Sequence, residues 1–326
     1  MGAIFVAGEK KVRPGVYFRH ENYGTPPTAG ADDGVCAVTL RSNWGPVGEA
    51  VLLEDYTDIE KVYGDGGTNG TTAAALEQFK GGANSTYAVR LGTGGTNGTY
   101  QIKDTAETPV TVITLTLKYP GSRAFTVTIR PTADDTTVSE LLFIEGTEQL
   151  ERLTFSNATN SVNALMAAFA EQGSSYFTLT KLADSTNALA TVTQATITAG
   201  TDPSINNAAY SKAFEILEAY RWNVLSVDTD DTAVHALAQL FLNRIYQDGM
   251  FCMGVIGEPT TVAFATRLAH ASAYNDKQII YVGHGFIDSN GNIYEGYLAA
   301  ARIAGLIAGT PSNESTTHSA ILPAAG

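Results

Sequence analysis

Residues 208–309 alternate helix-period and strand-like runs in the order helix, strand, helix, strand, helix, strand, hairpin, helix. Tyr210, Phe214, Leu217 and the stem of Arg221 recur at helical spacing, after which residues 222–227 form a compact apolar run. Val234, Leu237, Phe241 and Ile245 fall on one stripe of a second helix that ends at Gly249. An apolar strand over 250–256, a helix over 260–273 and a strand over 278–282 repeat the pattern. Strands alternating with helices of this length predict a mainly parallel sheet flanked by helices. The fold class is therefore α/β, and function belongs at the sheet's ends, at its edges, or on whatever is inserted into it.

The first half extends that frame. Residues 35–40 read as a strand, Trp44-Gly45-Pro46 as a turn, 56–63 and 71–79 as short helices, and 87–91 as a further strand. Between 92 and 202 threonine dominates and the runs 110–117 and 124–129 alternate, as half-buried antiparallel strands do. The one convincing helix there is 162–171. This predicts an inserted β-rich (α+β) domain over 92–202, whose 6 basic and 11 acidic residues give it a solvated, acidic character. The α/β core is then discontinuous, residues 35–91 plus 203–311. Residues 1–34 read as an extended N-terminal arm, and 312–326 as the start of a C-terminal segment. Gly-Gly-Thr-Asn-Gly-Thr occurs at 66–71 and again at 94–99, but the flanks do not match, and the composition is ordinary turn chemistry.

Charge narrows the partners. Against 20 Lys+Arg stand 33 Asp+Glu, a net charge of −13, so binding nucleic acid would gain nothing from counterion release. The arm runs against this trend: Lys10, Lys11, Arg13 and Arg19 outweigh Glu9 and Glu21. Residues 12–19 have strand composition with Pro14-Gly15 near the start, which suits pairing with a sheet edge or a plain first strand of the core. Cys36 and Cys252 sit in apolar runs and read as buried thiols, which favours a cytoplasmic origin. No secretion signal opens the chain, and no apolar run approaches the roughly 20 residues of a membrane span.

Candidate chemistry is sparse, and no cofactor or metal is expected. Residues 87–91 followed by Gly92-Thr93-Gly94-Gly95-Thr96-Asn97 approach a dinucleotide fingerprint, but Asn97 stands where glycine is needed and no helix opens afterwards. Asp228, Asp230 and Asp231 follow the strand over 222–227, where open α/β sheets bind ligands; Asp230 or Asp231 before Thr232 also reads as a helix N-cap. His284 with Asp288 and Glu295 resembles a base with its acid, while Asp288-Ser289-Asn290-Gly291-Asn292 reads as a hairpin loop. That loop fails as a calcium site because Ile293 and Ala299 replace the required Gly and Glu. Walker A, G-x-S-x-G, H-E-x-x-H and C-x-x-C sequences are all missing, and the five histidines show no ligand spacing. Helix 297–309 carries Arg302 as its one charge and is apolar all round, with small residues at Ala301, Gly305 and Ala308 that admit another backbone. It reads either as a central core helix or as an oligomer contact.

Three motifs in order carry a resemblance: Lys11-Val12-Arg13-Pro14-Gly15-Val16-Tyr17, then Ser42-Asn43-Trp44-Gly45-Pro46, then 300–315 from Ala300-Ala301-Arg302 to Asn313-Glu314-Ser315. Together they resemble the tail sheath protein of contractile bacteriophage tails and phage-like particles. The resemblance implies a structural subunit, not an enzyme, that polymerises around a tail tube and contracts to drive it through a cell envelope. It also implies terminal arms that add strands to neighbouring copies, with the tail tube protein and baseplate as further partners and the virion tail as location, after assembly in the bacterial cytoplasm. On that reading Val12, Arg13, Pro14, Gly15, Val16, Tyr17, Arg19, Arg302 and Gly305 are the expected inter-subunit residues. Family members continue well past Asn313, so this chain reads either as a truncated piece or as an unusually short member; if the C-terminal arm is missing, it is expected to be soluble and largely monomeric. The competing readings are an α/β nucleotide-binding enzyme with a non-standard loop, and a receptor- or carbohydrate-binding module in the insert.

Overall fold

The computed structural model describes residues 34–157, 160–288, 290–311, 313–317, 319 and 321. Its frame is a six-stranded sheet. Strand β1 (Val35–Leu40) is followed by β2 (Ala50–Leu53), helices α1 (Thr57–Tyr63) and α2 (Ala73–Gly81), and β3 (Ser85–Arg90). After a run of antiparallel strands come α4 (Asn207–Leu217), β11 (Val224–Ser226), α5 (Thr232–Gln247), β12 (Met253–Gly257), α6 (Phe264–Tyr274) and β13 (Ile279–Val282). The hairpin β14 (Phe286–Ile287) and β15 (Ile293–Tyr294) leads into α7 (Tyr297–Gly309).

The strand order is β13-β12-β11-β1-β3-β2, parallel throughout except for β2, which pairs antiparallel with β3 at one edge. The β2 edge was not anticipated from sequence: Ala-Val-Leu-Leu is four residues long with one buried side chain, too short for a periodicity to show.

Strand alternation divides the core between the two faces. Val35 and Ala37 point with Val89 and Leu225 toward Tyr210 and Phe214 of α4 and Val234, Phe241 and Ile245 of α5. Cys36, Val224 and Val255 face the alanines of α7, and Val38 and Leu40 face Ala74 and Ala75 of α2. Full burial of each large aliphatic side chain contributes about 1.5–3 kcal/mol. Both cysteines are buried free thiols, and burial pushes that of Cys252 up to about 12.

Between β3 and α4 the chain builds β4 (Asn97–Lys103), β5 (Thr111–Pro120), β6 (Thr126–Pro131), β7 (Val138–Glu145), β8 (Glu148–Ser156), α3 (Ser161–Gln172), β9 (Phe177–Lys181) and β10 (Val192–Thr196). These form two antiparallel sheets, β4-β5-β9 and β10-β6-β7-β8, with α3 packed on β8 and β9. In β5, Ile113, Leu115 and Leu117 are buried while Thr114 and Thr116 alternate with them less deeply, which accounts for the threonine-rich composition. Bridges Thr93–Ser204, Thr96–Thr201 and Thr99–Thr198 tie the outgoing and returning chains into an antiparallel stem. Among the described residues no helix is long and apolar enough to cross a membrane.

Candidate functional site

Open α/β sheets bind ligands where the strand order reverses, beyond the carboxyl ends of the strands. Here the chain runs from β1 to β3 on one side and from β11 to β12 on the other, so the crevice lies between β1 and β11. Asp228, two residues past β11, sits in it without solvent exposure. Its carboxylate accepts hydrogen bonds from Thr39 Oγ1 at 2.8 Å, Thr71 Oγ1 at 2.6 Å and Arg41 Nε at 3.0 Å. Its backbone carbonyl accepts from Arg41 Nη2 at 3.0 Å. The carboxylate is thus committed to holding β1, β11 and the loop ahead of α2 together.

The other two aspartates have separate duties. Asp231 is the N-cap of α5, accepting from Ala233 N at 2.8 Å. Asp230 reaches across to α7 and accepts from Tyr297 N at 2.6 Å; burial raises its pKa against that bond. The structure does not assemble the trio into one site.

His284 is exposed beyond β13 and does not meet the acids suggested for it. Asp288 turns onto its own loop, accepting from Asn290 N and Asn292 N at 2.9 Å each, and Glu295 accepts from Thr260 N at 2.9 Å. Gly92 to Asn97 run into the stem and β4, not into a helix N-terminus. Among the described residues no group of three His, Cys, Asp or Glu side chains is placed to hold a metal ion.

One polar cluster was not read from the sequence. Glu258, just past β12 and 3% exposed, faces His270 Nδ1 at 2.9 and 3.0 Å from its two oxygens and accepts from Tyr281 OH at 2.5 Å. Burial raises the Glu258 pKa, but the bonds from Tyr281 and His270 outweigh it and leave the carboxyl below its ordinary value. Because α6 has no buried residue, this contact and that of Arg267 with Val262 O help to hold the helix. Its one sequence signal was a glutamate directly after an apolar strand.

The Ser42–Pro46 motif acquires a concrete role where the six-stranded sheet meets the antiparallel sheets. Trp44 leaves the loop after β1 and enters the apolar cluster of the antiparallel sheets, edge-on to Tyr119 at 5.3 Å and Phe125 at 5.1 Å. Arg123 lies over the Phe125 ring and forks onto Glu145 with two 2.6 Å bonds. Arg90, fully buried at the end of β3, donates to Ser42 O at 2.9 Å, Gly45 O at 2.6 Å and Pro120 O at 2.9 Å, joining β3, the motif and β5. Desolvation lowers its pKa to about 10.

Of the expected inter-subunit residues, Val12, Arg13, Pro14, Gly15, Val16, Tyr17 and Arg19 lie outside the described residues, as does the N-terminal arm up to residue 33. Arg302 and Gly305 are both described, and both make contacts inside the chain. Arg302 is 1% exposed and its Nε donates to Glu77 of α2 at 2.8 Å, with its guanidinium over the Phe286 ring at 5.0 Å. Gly305 lies against the backbone of Gln78. The small residues of α7 admit another backbone, but that backbone is α2.

Residues 204–322 match the family model for the phage tail sheath protein central domain. The chain is 23% identical over 325 residues to the uncharacterized protein YqbK of Bacillus subtilis, covering 97% of this chain and 65% of that one. Its fold is similar to that of a sheath tail protein of Desulfitobacterium hafniense, with a TM-score of 0.68 and 22% identity over 94% of this chain and 65% of the other. A sheath tail protein of Listeria innocua gives a TM-score of 0.66 at 20% identity, over 88% of this chain and 59% of that one. The chain thus spans less than two thirds of the length of each of these three proteins.

Proposed function

We propose that this chain, a phage tail sheath-like protein, is a structural subunit of a contractile tail sheath. In this reading copies polymerise around a tail tube, anchored at a baseplate, and contract to drive the tube through a cell envelope. The virion tail, or a phage-like particle, is its location, and the bacterial cytoplasm is where it assembles. The carrying observation is that the sheath-domain match covers α4 to α7, the half of the frame that Asp228 ties to β1 and to the loop ahead of α2. A subunit that passes force needs such a rigid body.

Terminal arms link the copies by strand addition, for which the frame offers β2 and β13, the sheet's two edges among the described residues. Repetition of one such heterologous contact generates an open helical array, and contraction is the repacking of that array between two arrangements. The insert of residues 92–202 decorates the outside. Immunogold electron microscopy on particles from producing cells, with an antibody against the insert, tests the assignment. Gold along striated tails is the expected result, and tails that stay unlabelled overturn it.

A further inference from the structure

Asparagine followed by glycine occurs three times, at Asn69-Gly70, Asn97-Gly98 and Asn290-Gly291, and the first two stand in identical Gly-Gly-Thr-Asn-Gly-Thr surroundings. Asparagine is chemically labile, and a following glycine leaves its own backbone nitrogen uncrowded by any Cβ. That nitrogen, on losing its proton, attacks the asparagine side-chain carbonyl carbon; a C–N bond forms and ammonia leaves. Water then opens the cyclic imide at one or the other carbonyl, giving aspartate or isoaspartate. The attack requires the Asn-Gly backbone to swing, so the fold decides where the reaction runs.

Two of the three steps are locked. Gly70 lies against the backbone of Gly66, where a Cβ would come within 2.3 Å of the carbonyl oxygen. Bonds from Asn43 N to Gly66 O at 3.2 Å and from Thr71 N to Arg41 O at 2.9 Å tie that loop to the one after β1. Asn97 opens β4, and its Nδ2, the leaving nitrogen, donates to Leu117 O at 2.7 Å. Gly98 is buried, and a Cβ there would stand 2.6 Å from Thr198 O.

The third step has room. Asn290 and Gly291 are exposed, and a Cβ at Gly291 would meet nothing within 4 Å. Among the described residues every hydrogen bond of 290–292 goes to Asp288, inside the same loop. Opening this tip therefore disturbs no other element, and such local openings are the least costly motions of a folded chain.

We propose that Asn290 is a site of spontaneous deamidation, and that the fold shields Asn69 and Asn97 from the same reaction. The product places a second carboxylate beside Asp288, the group on which the loop's bonds converge, and isoaspartate also lengthens the main chain. Like charges at the tip then oppose the turn. The change loosens the hairpin whose Phe286 and Tyr294 rings stack at 5.0 Å.

Peptide mapping of the full-length protein tests it. Folded protein is held in mildly alkaline buffer and then digested with trypsin, which puts Asn69, Asn97 and Asn290 on separate peptides, residues 62–80, 91–103 and 278–302. Mass spectrometry against an unincubated digest, with fragmentation to locate the change, reads the replacement of NH2 by OH at each asparagine. Asn290 should convert at least about tenfold faster than either of the others. In guanidinium chloride the protection is gone, and the three rates should come within about threefold of one another. Equal rates in the folded chain, an unchanged Asn290, or a difference that survives unfolding each overturn the proposal.

Discussion

Gly305 of α7 lies so close to Gln78 of α2 that a Cβ at Gly305 would overlap the Gln78 carbonyl oxygen. Gly81 repeats the relation from the other helix, its missing Cβ filled by the carbonyl of Arg302. The two backbones therefore cross in contact, and the buried pair Glu77–Arg302 lies beside the crossing. Gly305→Ala has to push the helices apart. A cost of about 1–3 kcal/mol is expected from overpacking, read as a lower urea midpoint at unchanged slope. A midpoint equal to that of the parent would mean that the helices have room to spare.

Trp44 belongs by sequence to the loop after β1 and by packing to the antiparallel sheets of β4 to β10. Trp44→Ala removes the ring that Tyr119 and Phe125 enclose, and the loss should be about 3–5 kcal/mol, as for other large aromatic deletions. Hydrogen exchange gives the sharper reading. Amides of β5 and β6 should lose protection more than those of β11 and β12, because the deletion loosens the joint and spares the far side of the frame. Uniform loss across both sets would contradict the joint's role.

How much was legible follows from where the deciding contacts lie. The frame could be read because α5 carries its stripe at Val234, Phe241 and Ile245 and its cap at Asp231 within one local stretch. Helix α7 was placed at its observed bounds, 297–309, yet its partner was not, since Gly305 records only that something comes close, and α2 lies more than 200 residues away. The same distance hid Asp228: its donors Thr39, Arg41 and Thr71 precede it by 157 to 189 residues. A sequence window around 228–231 shows three neighbouring carboxylates and suggests one site; the fold sends them to three different elements.

Asp228 should accordingly behave as a structural residue. Asp228→Asn keeps one acceptor oxygen for Arg41 Nε and Thr71 Oγ1, but reverses the bond with Thr39 Oγ1 and removes the charge facing Arg41, at about 1–3 kcal/mol. Asp228→Ala abandons the Arg41 guanidinium as well and should cost more, about 3–5 kcal/mol. Chemical denaturation of the two variants checks the order. A variant as stable as the parent would reopen the crevice as a ligand site.

Acid sensitivity has a specific expected source in His235, a fully buried side chain on α5. Its Nε2 lies 2.9 Å from Thr229 O and donates to it, while Nδ1 has no hydrogen-bond partner among the described residues. Burial lowers the pKa, with the Thr229 bond opposing. The unfolded chain therefore takes up this proton first, beginning near the ordinary histidine value of about 6.5. Stability attributable to His235 is full above that value and is lost as pH falls from it toward the lower folded value. His235→Gln keeps a donor for Thr229 O and cannot titrate. Urea midpoints compared between parent and variant from about pH 7.5 to about pH 5 should converge or cross in the variant's favour on acidification. A constant difference across that window would show that His235 protonates equally in the folded and unfolded chain.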